Sequence, residues 1–124
     1  MASLISRESP MSSLVIKQRN AGDVLIIAPE GRIAFGYGDQ ELGEAVRGAL
    51  AGGGRKVLIN FEKVAYIDSS GIGELVSCYA AVMNRQGELR ICGMNSKVTN
   101  LIKMTSLFAV FSVFDTEAEA LNGW

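Results

Sequence analysis

Two adjacent serine hydroxyls offer the clearest chemistry in this chain. They lie in the step Asp68-Ser69-Ser70-Gly71. An apolar run ends before it at Ile67, and Ile72, Leu75, Val76, Tyr79, Val82 and Met83 follow at helical spacing. That spacing puts one apolar face on a helix. Asp and Ser start helices because their side-chain oxygens accept hydrogen bonds from orphan N–H groups of the first turn. Hydroxyls at a helix N-terminus, just past a strand, sit where backbone donors and the helix dipole favour added negative charge. Such a step serves as a plain helix cap or as a place for a phosphate, and spacing leaves both open.

Composition removes most competing chemistries. The chain has no histidine, so a Ser-His-Asp triad is impossible and the commonest general base and metal ligand are missing. No catalytic group, metal site or cofactor site is expected. Cys78 and Cys92 stand far apart without a partner motif. Free buried thiols in a reduced, cytoplasmic setting are expected. Gly36-Tyr37-Gly38 fails as a dinucleotide loop, because the third glycine would fall at Glu41. Gly52-Gly53-Gly54-Arg55-Lys56 lacks a Gly-Lys-Ser/Thr ending and precedes a strand. Net charge is −1 with no basic block, which argues against a nucleic-acid groove. The longest apolar runs, such as Val24 to Ala28, are far shorter than a membrane span. Glu41 and Glu44 read as a solvated helix face, and Met83, Met94 and Met104 as core filler.

The elements that must position the serines follow from pattern. With 124 residues and nearly half of them apolar, one domain with one core is expected. Residues 1–13 read as a loose arm with a second start possible at Met11, and residues 14–124 as the domain. Leu14 to Arg19 and Val24 to Glu30 read as a hairpin around Asn20-Ala21-Gly22-Asp23. Gly31 to Gly38 is a glycine-rich loop, with Asp39 capping a helix that carries Leu42, Ala45, Val46, Ala49 and Leu50 on one face. Val57 to Asn60 is a buried strand. The helix from Ser70 runs to about Arg85, and Gly87 supplies a left-handed stop. A strand at Leu89 to Cys92 follows, then a short helix capped by Ser96 or Asn95 with Val98, Leu101 and Ile102 inward. A strand at Ala109 to Phe114 comes next, then a last helix with Thr116 and Glu119 in capping-box spacing. The alternation predicts a single small α/β domain: a mixed, mostly parallel sheet, an N-terminal hairpin and about four helices.

Asp68-Ser69-Ser70-Gly71-Ile72-Gly73 resembles the signature of the STAS domain family, of the bacterial anti-sigma factor antagonist type. The segments Lys56 to Phe61, Gly87 to Cys92 and Val98 to Phe114 fit as well, so the resemblance spans roughly residues 14 to 122. It implies a non-enzymatic protein that binds a kinase-type anti-sigma factor when unphosphorylated. Serine phosphorylation releases it, with ATP and Mg on the kinase, and a serine phosphatase reverses the mark. By position, Ser69 is the implied phosphoacceptor. Asp68 and Ser70 belong to the helix start, and Gly71 and Gly73 keep the approach open. The implied partner face is the loop from Arg32 through Ala34 and Phe35 to Tyr37, together with Ser69 and Ile72. Many antagonists carry an acidic residue near the position of Ala34, and the loop here is one residue longer. Two alternatives remain at this level: a STAS subunit docking on a lipid or anion transporter, and a small-molecule binding module.

Overall fold

The computed structural model describes residues 15–36 and 38–124. The expected arm, Leu14 and Tyr37 lie outside the described residues. β1 (Val15–Ala21) and β2 (Val24–Ile33) form the antiparallel hairpin, in register from Val15 with Glu30 to Ala21 with Val24. The turn is tighter than expected. Both strands run to a two-residue loop in which Gly22 takes a φ of 63°, the conformation such a loop requires.

α1 (Asp39–Ala51) follows and ends at Gly52. Its N-cap is Gly38 rather than Asp39, whose carboxylate accepts from the Gln40 N–H. β3 (Lys56–Asn60) and β4 (Lys63–Ile67) come next, then α2 (Ser69–Asn84), β5 (Glu88–Cys92) and α3 (Ser96–Lys103). A 3-10 turn (Ser106–Val110), β6 (Ser112–Phe114) and α4 (Glu117–Leu121) complete the chain. Asn95 and Thr116 cap α3 and α4 through their side-chain oxygens.

The six strands form one sheet in the order β1-β2-β3-β5-β6, with β4 beside β2. Every pairing except the hairpin is parallel. β2 serves two parallel partners in succession. Its first half, Val24–Ile27, pairs with β3, and Glu30–Ile33 pairs with β4. One face of the sheet, with Ile16, Ile27, Ile33, Val57, Ile59, Ile67, Leu89 and Ile91, packs under α1, α2 and α3 into the main core. The opposite face is covered at one end by α4, where Ala120 meets Val24, Ile26, Leu58 and Cys92. There Arg90 donates to the Ala120 carbonyl at 2.8 Å and stacks on the Trp124 ring at 4.4 Å. Trp124 in turn donates to Glu88.

Several expectations change. Residues 31–33 are strand, not loop, because they pair with β4. Residues 109–110 belong to the 3-10 turn, so the last strand is only three residues long. Gln86, with a φ of 60°, takes the left-handed position expected of Gly87. Gly87 is required for another reason: a β-carbon there would press into the Arg55 carbonyl and Val82. Met83 and Met104 are 48% and 83% exposed and fill no core, whereas Met94 packs against it.

Both thiols are free and buried. Burial, with Glu74 nearby, pushes Cys78 up to about 12, and burial with Glu117 and Glu62 nearby pushes Cys92 up to about 11. A raised folded value means stability that is complete below the ordinary thiol value of 9.0 and is lost as pH rises through 11 to 12. We expect the native protein near pH 8 to resist a thiol-labelling reagent until denaturant is added, and its urea midpoint to fall steadily above about pH 9. Fast stoichiometric labelling of the native protein would contradict this burial.

Candidate functional site

The site forms where the ends of β2 and β4 meet the start of α2. Asp68 is the N-cap, with an extended backbone at φ −111° and ψ −171°. Its Oδ1 accepts from the Gly71 N–H at 2.9 Å. Its Oδ2 accepts from the Phe35 N–H at 3.1 Å. Its own N–H donates to the Ile33 carbonyl at 3.3 Å, and its carbonyl accepts from the Ile72 N–H at 2.9 Å. One residue therefore ties the helix start to the segment that follows β2. Asp68, rather than Ser70, begins the helix, and Ser69 is its first residue.

Gly71 explains how closely the two segments approach. A β-carbon there would overlap the Ile33 carbonyl oxygen and would lie 2.6 Å from Cγ1 of Ile67. Gly73 has nothing within 4 Å of that position and faces open space. So of the two glycines expected to keep an approach open, Gly71 admits the chain's own backbone, and only Gly73 borders the outside.

Ser69 is exposed and Ser70 half-buried. The Ser69 hydroxyl makes no side-chain hydrogen bond among the described residues. No acidic residue occupies the first turn of the 16-residue α2, so its dipole is met by the Asp68 carboxylate. The arrangement can accept an anionic group on Ser69 at a helix N-terminus. Among the described residues no cluster of potential metal ligands is present and no helix is long and apolar enough to cross a membrane.

The remaining expected site residues separate. Phe35 is 75% exposed and sits within one hydrogen bond of Asp68. Arg32 is exposed on the last turn of β2 pairing. Ala34 is 5% exposed and Ile72 is buried, so neither presents a side chain to a partner. Tyr37 falls outside the described residues.

Tyr66 and Lys97 were not anticipated. β2 and β4 slip register between Gly31 and Arg32, which leaves Ala65 unpaired and sets Tyr66 opposite Arg32 and Ile67 opposite Ile33. The bulge turns Tyr66 outward while Ile67 stays in the core. Lys97 lies 5.8 Å from the Tyr66 ring centroid, within cation–π range. A bulge leaves no mark in residue pattern, so Tyr66 reads as one more apolar strand position.

The model of the STAS domain matches residues 15–120. The anti-sigma F factor antagonist of Paenibacillus polymyxa is 25% identical over 113 residues, covering 89% of this chain and 94% of that protein. An anti-sigma factor antagonist from Mycobacterium paratuberculosis superposes with a TM-score of 0.79 at 19% identity, over 93% of this chain and 96% of that one. SpoIIAA, a Bacillus cell fate determinant solved in its phosphorylated form, superposes at 0.66 with 16% identity, over 86% and 96%.

The glycine contrast is open to test. Gly71→Ala should destabilise the fold by about 1–3 kcal/mol, as overpacking against backbone does. Gly73→Ala should be neutral or stabilise α2 by up to about 1 kcal/mol. Urea unfolding of the two variants checks the pair. Equal stability in both would mean that the close approach of α2 to β2 does not depend on Gly71.

Proposed function

The chain belongs to the STAS domain family, and from that premise we propose that it is an anti-sigma factor antagonist switched by phosphorylation of Ser69. Unphosphorylated, it binds a kinase-type anti-sigma factor and thereby frees the sigma factor that the kinase holds. The kinase then transfers the γ-phosphoryl group of Mg-ATP to the Ser69 oxygen. ADP leaves, the hydroxyl proton passes to a base on the kinase, and the phosphorylated antagonist lets go. A serine phosphatase restores the hydroxyl. The chain acts as substrate and ligand, without a catalytic group of its own.

The observation that carries this reading is an exposed serine hydroxyl, without a hydrogen bond among the described residues, at the first residue of a long helix beside an exposed Phe35. Kinship with an anti-sigma F factor antagonist and a fold shared with a phosphorylated protein support it. The energetics suit a switch. A phosphoserine carries about −1.5 to −2 charges near neutral pH. At a helix N-terminus the dipole offers such a charge about 0.3–1 kcal/mol, which offsets repulsion from the neighbouring Asp68 carboxylate. Against a partner packed onto Ser69 the same charge must be stripped of water, and about 1.4 kcal/mol already weakens binding tenfold. The fold survives and the complex does not.

The partner face consists of Ser69, Phe35 and Arg32, with Tyr37 carried over from the family resemblance and Tyr66 and Lys97 beside Arg32 on this surface. Ala34 is buried and stands where the family resemblance puts an acidic residue in many antagonists.

Incubation with the cognate kinase and Mg-ATP, followed by mass spectrometric mapping, should place the phosphate on Ser69. Ser69→Ala should remain unmodified, stay bound in the presence of ATP, and melt close to the unchanged protein, since Asp68 supplies the cap. Phosphate on Ser70 alone, or on a remote residue, would overturn the assignment. Separately, Ser69→Asp should fold normally and bind at least about tenfold more weakly, and Phe35→Ala should weaken binding with little loss of stability because its side chain is exposed. Calorimetric titration against the kinase reads both. Unchanged affinity in the aspartate variant would mean that charge at Ser69 does not break the complex.

A further inference from the structure

A helix cap uses one oxygen. Serine and asparagine cap about as well as aspartate does. Asp68 uses two: Oδ1 takes the Gly71 N–H at 2.9 Å and Oδ2 takes the Phe35 N–H at 3.1 Å. At this side-chain length only an ionised carboxylate offers two acceptor atoms, because an asparagine amide replaces one of them with a donor. Phe35 lies 33 residues earlier in the chain, past the end of its strand, and its ring is 75% exposed. Of its own side chain little is held by packing. Its N–H is held by this hydrogen bond, while the adjoining Ala34 is buried and bridges to Gly38.

We propose that Asp68 is a positioning residue for partner docking, through which one carboxylate fixes the exposed Phe35 relative to the Ser69 hydroxyl. The proposal rests on the docking function argued above. Asp68 does not touch the partner. It sets the distance and orientation between two groups that do, and so reduces the ordering that docking would otherwise require. An ordinary cap residue in its place would keep α2 and release Phe35.

Two variants separate capping from positioning. Asp68→Asn keeps an acceptor for Gly71 and turns a donor toward the Phe35 N–H. Asp68→Ser restores a cap and is too short to reach both groups. In each, α2 should persist by circular dichroism. Amide hydrogen exchange read by NMR should quicken about tenfold or more at Phe35, with Gly71 and Ile72 little changed. Affinity for the kinase-type anti-sigma factor, purified from the same genome, should fall about tenfold in calorimetry. Adding Phe35→Ala to Asp68→Asn should cost less than Phe35→Ala costs alone, because the ring is no longer held in place. Unchanged exchange at Phe35 would overturn the anchoring. Faster exchange with undiminished affinity, or strict additivity in the double variant, would overturn the positioning role. If the unaltered protein binds no such kinase, the docking function fails, and the Phe35 exchange rate still decides whether Asp68 anchors that segment.

Discussion

The site depends on one close approach, that of the start of α2 to the end of β2. Gly71 meets the Ile33 carbonyl at a distance that no side chain could share. That contact lets the Asp68 N–H reach Ile33 and lets its carboxylate reach Phe35. Were the helix start to stand off by the width of a methyl group, Asp68 would cap α2 and nothing more. The exposed hydroxyl and the exposed aromatic ring would then belong to two unconnected segments.

The sheet supplies the setting for that approach. β2 pairs with β3 over its first half and with β4 over its second, and only Phe61 and Glu62 separate those two partners in sequence. β4 therefore continues β3 along the side of β2 and delivers Ile67 beside Ile33. The bulge at Ala65 corrects the phase, so that Ile67 enters the core immediately before the polar step begins. Asn95 closes the arrangement by donating to the Val64 carbonyl at 3.1 Å, which brings α3 and Lys97 to the same corner. The far end of the sheet, with the Arg90 and Trp124 clasp, takes no part in the site.

Local chemistry was legible in the residues, and tertiary pairing was not. Asp68 and the serines announce a helix start because capping is a matter of near neighbours. The hairpin and the amphipathic helices follow from periodicity for the same reason. The apolar run that ends at Ile67 is β4, but the two-residue break at Phe61 and Glu62 has no glycine or proline to set it apart from β3 as a strand of its own. Residues 109–110 looked like strand because Ala and Val in an apolar run do not distinguish a 3-10 turn from an extended segment. The glycine count from Gly31 to Gly38 pointed to a loop, whereas pairing with β4 holds residues 31–33 in the sheet. Nothing in sequence reveals that Ala65 bulges or that Tyr66 turns outward. The link from Asp68 to Phe35 spans 33 positions and is written only in three dimensions.

The parallel pairing of β2 with β4 has a kinetic side. Segments so far apart in sequence can meet only after the loop between them has closed, at an entropic cost that must be met before any contact forms. That loop holds α1 and β3, both of which pack into the main core. The corner that carries Ser69 and Phe35 therefore has no local, early-forming version. A nascent or misfolded chain can display the hexapeptide yet cannot display the surface, so recognition of that surface by any partner is confined to molecules that have completed their fold.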